Sequence, residues 1–81
     1  MDARTAITPP ALGHVPDGTP ITLVASPQGY AVAVGPADRP RWLHSTSGQF
    51  RLFPNVGRAV AFLNACGIRR ITLDLTGGLP Q

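Results

Sequence analysis

The groups able to do chemistry in this 81-residue chain are few, and arginine dominates them. All seven cations are arginine (Arg4, Arg39, Arg41, Arg51, Arg58, Arg69 and Arg70), and lysine and glutamate are absent. The acids are Asp2, Asp17, Asp38 and Asp74. A planar, permanently charged guanidinium suits phosphate and planar polar groups better than an ammonium does. A GC-rich coding sequence would give the same bias, and a net charge of +3 is modest. Six of the arginines and four of the five aromatics fall within residues 39–75, so chemistry and architecture share one stretch of chain.

Other chemistries find little support. His14, His44 and Cys66 have no metal-ligand spacing, so no metal is expected. His44, Ser45, Ser47 and Asp74 make a nucleophile, base and orienting acid on paper. The two serines and Thr46, however, lie in a turn, where such residues are expected anyway. Without glutamate there is no acid pair of the glycosidase type. No GK[ST] occurs, and Gly77-Gly78 follows the last apolar run instead of joining a strand to a helix, so no phosphate loop is expected. The chain is read as non-enzymatic, with no cofactor.

The elements that must position the arginines follow from periodicity. Residues 1–19 are rich in proline and glycine and lack a sustained apolar period, and residues 76–81 look alike; both are expected to be flexible tails. Residues 20–75 form the single domain. Ile21–Ala25 and Tyr30–Val34 read as a hairpin turning near Gln28–Gly29. Ile21, Leu23 and Ala25 then share a face with Tyr30, Val32 and Val34, leaving a small, nearly uncharged face of Thr22, Val24, Ala31 and Ala33. Asn55 is a good N-cap. Ala59, Phe62, Leu63 and Cys66 repeat at helical spacing, and Gly67 ends the helix in the left-handed conformation. Arg69–Leu75 is a period-two strand with Ile71, Leu73 and Leu75 toward the helix and Arg70, Thr72 and Asp74 away. The expected fold is α+β, with strand order β-β-β-β-α-β: a small antiparallel or mixed sheet of about five strands with one helix packed on one face.

A second hairpin pairs Arg41–Ser45 with Gln49–Phe53, and its register decides what the arginines face. A three-residue loop ending in left-handed Gly48 puts Trp42, His44, Phe50 and Leu52 on one face. Arg41, Leu43, Arg51 and Phe53 take the other. A two-residue loop turns Leu43, Phe50 and Leu52 inward and leaves Trp42, His44, Arg51 and Phe53 outside. The three-residue loop is preferred, because it buries the only tryptophan against the helix and leaves two arginines in solvent.

Under that register Arg41, Arg51 and Arg70 form a cationic strip on the sheet face away from the helix, with Arg58 and Arg69 at the helix ends. Such a strip could meet a DNA backbone or groove. The bland reading is a solvated face whose charges discourage aggregation. Val24, Ala31, Ala33, Leu43 and Phe53 are the expected interface in the other reading, where the partner is a second copy or another protein. A core of roughly 55 residues is thin, which favours self-association. Cys66, the only cysteine, is expected as a buried small hydrophobe in a reducing compartment. MDARTAITPP lacks the apolar region of a signal peptide, and no run is long enough to span a membrane, so a cytoplasmic location is expected.

The block RLFPNVGRAVAFLNACGIRRITLDL resembles small uncharacterised accessory proteins of bacterial plasmids and integrative elements. The matching residues are Phe53, Ala59, Phe62, Leu63, Gly67, Ile68, Asp74 and Leu75. The resemblance implies an accessory role in maintenance or regulation of a mobile element and brings no catalytic residues.

Overall fold

In a computed structural model of the chain, residues 6–16, 18–36 and 38–75 are described. The centre is built by short-range pairing. Strand β2 (Ile21–Ser26) and strand β3 (Gly29–Val34) form an antiparallel hairpin with Ser26 opposite Gly29. The tip is therefore Pro27–Gln28, one residue earlier than expected. The faces are unchanged, because moving the tip by one residue shifts the pairing by two. Gly29 is required at this corner. Its φ is +141°, and a Cβ there would lie 2.6 Å from the Phe53 carbonyl oxygen.

Strand β4 (Arg41–Leu43) pairs antiparallel with β3. Both edges of the sheet are parallel additions. Strand β1 (Ala6–Ile7) lies beside β4, and strand β5 (Thr72–Asp74) lies beside β2, giving the order β1-β4-β3-β2-β5. The fold is thus a five-stranded mixed sheet carrying one full helix, α2 (Val56–Ala65). A single helical turn, α1 (Pro9–Leu12), follows β1. The expected strand at Gln49–Phe53 forms only isolated bridges, His44 to Phe50 and Tyr30 to Phe53.

The N-terminal segment corrects the expectation of a tail over residues 1–19. Ile7 and Leu12 are completely buried in the main core, where they meet Leu23, Val32, Leu43 and Leu63. Pro9 and Pro10 occupy the first turn of α1, where fixed φ and a missing N–H cost nothing. Residues 1–5 and the expected tail at 76–81 lie outside the described residues.

Helix α2 has the ends its sequence specifies. The Asn55 side chain accepts from the Arg58 backbone N–H at 2.9 Å. At the other end Ile68 N–H reaches Leu63 O and Gly67 N–H reaches Asn64 O, both at 3.0 Å, with Gly67 at φ +87°. This is a Schellman closure, and Ile68 completes it by packing on the core that holds Leu63.

A second, smaller core occupies the sheet face opposite α2. Val24, Ala31, Ala33 and Trp42 are buried there beneath half-buried Phe50 and Leu52. Trp42 pairs directly with Ala33 and stacks on Phe50, ring centroids 6.0 Å apart. The alanines of β3 leave the volume that the indole fills, a large-against-small arrangement.

Candidate functional site

The three-residue loop forms as preferred. Ser45 N–H donates to Gln49 O at 2.7 Å, Arg51 N–H donates to Leu43 O at 3.1 Å, and Gly48 has φ +89°. The side chains group as that register requires, but in this hairpin the two faces are reversed relative to the helix, which keeps its expected side on β2, β3 and β5. Leu43 and Phe53 belong to the core under α2, whereas Trp42, Phe50 and Leu52 belong to the opposite core.

This reversal dissolves the expected cationic strip. The Arg51 guanidinium lies over Phe53 and over Phe62 of α2, at 4.9 and 5.7 Å from the ring centroids, so it belongs to the helix side. Arg41 donates from Nη2 to Ala6 O at 3.0 Å, latching β1 to the sheet. Arg70, just before β5, is separated from β4 by three strand spacings, about 14 Å at the ordinary interstrand distance. Arg58 is exposed in the first turn of α2, and Arg69 is exposed beyond its C-terminus.

All five expected interface residues are internal. Val24, Ala31 and Ala33 are covered by Trp42, Phe50 and Leu52, while Leu43 and Phe53 lie under α2. The paper nucleophile set is not assembled either. His44 is buried, its ring tilted against Phe50, and its Nδ1 donates to the Trp42 carbonyl oxygen at 2.8 Å. A carbonyl only accepts, so Nδ1 carries a proton. Ser45 and Ser47 bond each other through their hydroxyls at 2.8 Å within the turn. Asp74 is across the sheet from all three.

Two surface features remain. The first is an open groove of about 1190 Å³ between the 12–21 segment and the connector from α2 to β5, with Leu12, Pro16, Cys66, Arg69 and Arg70 among its walls. Cys66 is half-buried there, not enclosed as expected. No described acid or histidine lines this groove. Among the described residues, no cluster of three or more histidines, cysteines or acids could hold a metal ion, and no helix is long and apolar enough to cross a membrane.

The second feature is β5 itself. Its register sets Leu73 beside Leu23, on the side of the sheet that bears α2. Yet α2 does not extend over it: Ile71 is 36% exposed, Leu73 46% and Leu75 71%, with Val60 of α2 at 41%. Among the described residues nothing pairs with the outer edge of β5. The period-two pattern of this strand revealed the apolar row but not that the helix stops short of it. No family model, no curated protein and no solved structure matches the chain.

Proposed function

We propose that this chain is a non-enzymatic association module whose working surface is the outer edge of β5. The supporting observation is the exposed aliphatic row of Leu73 in β5 with Ile71 and Leu75 flanking it, on a strand whose outer edge is unpaired among the described residues. An open edge presents unsatisfied backbone donors and acceptors. An added strand satisfies them, and adjacent apolar side chains gain burial at the same time. Such a module suits the accessory role that the sequence resemblance implies. A photoreactive amino acid replacing Leu73 should form a covalent adduct of discrete mass in cells producing the chain. The same group replacing Gln49, exposed in the hairpin of β4 three strands away from β5, should give none. Equal background at both positions refutes the reading.

DNA binding is a second reading, and it draws on a different arrangement from the expected strip. The strand register brings Arg39, Arg41, Arg69 and Arg70 to one end of the sheet, where the loops 35–40 and 66–71 meet it and contribute one acid, Asp38. Guanidinium groups so gathered favour a polyanion, with an affinity that falls as salt rises. Neutralising Arg39, Arg69 and Arg70 together should remove duplex binding in a low-salt mobility-shift assay, while neutralising Arg51 and Arg58 should leave it. Absence of binding by the unaltered chain at low salt ends this reading.

A further inference from the structure

Granted β5 as the association edge, the reading on which this step rests, the strand's own sequence identifies its partner. We infer that β5 pairs antiparallel with β5 of a second copy of this chain, about a two-fold axis at Thr72. Each strand sends the backbone groups of alternate residues outward, so in a symmetric antiparallel pair the axis must pass beside a residue and not between two. Few registers are then open, and their side-chain consequences differ.

An axis at Thr72 sets Arg70 opposite the partner's Asp74, and by symmetry Asp74 opposite the partner's Arg70. On the other face it sets Ile71 opposite the partner's Leu73, again twice. Opposite charges and apolar pairs placed directly across a ladder both stabilise it. An axis at Ile71 would oppose Arg69 to Leu73, and one at Asp74 would set two carboxylates face to face. An axis at Leu73 would match the apolar face, Leu73 to Leu73 and Ile71 to Leu75, but it would oppose Thr72 to Asp74 and separate Arg70 from Asp74. Across residues 70–74 only the Thr72 axis matches both faces, and Arg69 meets the partner's Leu75 only at the margin of the pairing. Asp74 is also engaged within its own chain, and an ionised carboxylate has room for further donors.

Two strands this short bury less than about 1,000 Å² between them, so the dimer belongs to the weak, reversible class. It joins two five-stranded sheets into one and covers the aliphatic row that α2 leaves open.

Sedimentation equilibrium on the full chain over a concentration series tests this. The expected result is a monomer–dimer equilibrium ending at twice the 8.5 kDa chain mass. Leu73→Asp should remain monomeric with an unchanged circular dichroism spectrum, since Leu73 is not core. Arg70→Asp and Asp74→Arg should each weaken the dimer about tenfold, because each sets like charges opposite one another twice. Combined in one chain they should restore it to within about threefold of the original. A chain that stays monomeric throughout, or a double variant no better than the single ones, overturns the inference. If the purified chain is monomeric but the photoreactive group at position 73 captures a different protein, the second copy is excluded and the edge reading stands. If it captures nothing, both fail.

Discussion

Among the described glycines, Gly29 has the least freedom to change. It combines a φ of +141° with a backbone oxygen 2.6 Å from where a Cβ would sit. Strain of that kind costs on the order of 1–3 kcal/mol for the backbone alone. Gly29→Ala should therefore lower unfolding stability in urea by at least about 2 kcal/mol, with the loss concentrated where Tyr30 and Phe53 exchange hydrogen bonds. Arg51 is a milder case. Its charge rests on two rings, so Arg51→Met should cost about 0.5–1 kcal/mol despite the exposed position. The packing of Trp42 gives a direct optical check. Phe50→Ala uncovers the indole, and its emission should move to longer wavelength.

At the scale of elements, what the sequence discloses depends on how local the deciding interaction is. Helix α2 is bounded by Asn55 and Gly67, whose signals act within one turn, and both are readable directly. Asn55→Ala should lower stability by about 1 kcal/mol, measured by thermal or urea unfolding, with the helical signal otherwise retained. The β2–β3 hairpin is equally local, and its faces are legible even though its tip is displaced by one residue. The second hairpin marks the boundary of what period two can tell. Alternation groups Trp42 with Phe50 and Leu43 with Phe53, but it is silent about which side the helix takes. That choice is made by volume: Ala31 and Ala33 open a space on one face that only a large side chain fills. The expected site shares that ambiguity: Arg41, Arg51, Leu43 and Phe53 turn outward only if the helix takes the tryptophan side, while Val24, Ala31 and Ala33 do face away from α2 but beneath Trp42, Phe50 and Leu52. β1 and α1 escaped altogether. Ile7 and Leu12 are isolated apolar residues in a proline-rich stretch, and their burial is decided by a strand some 36 positions later, as the Ala6–Trp42 pairing shows.

For the whole molecule, the main core makes residues 6–15 indispensable. Removing them takes out Ile7 and Leu12 and leaves the outer side of β4 bare. Each fully buried aliphatic side chain contributes about 1.5–3 kcal/mol, so the loss approaches the entire stability of a domain this small. The shortened chain should show no cooperative unfolding transition in calorimetry. The strand order also carries a kinetic consequence. The central pairings close short loops, whereas both outer pairings join distant positions, Ala6 with Trp42 and Thr22 with Thr72. Long loops close late. The expected order of refolding is therefore the three-stranded ribbon β2–β3–β4 first, followed after an interval by outer strands from opposite directions along the chain. In that interval another molecule's ribbon competes with the chain's own late arrivals, so the yield of native protein should fall as refolding is carried out at higher concentration.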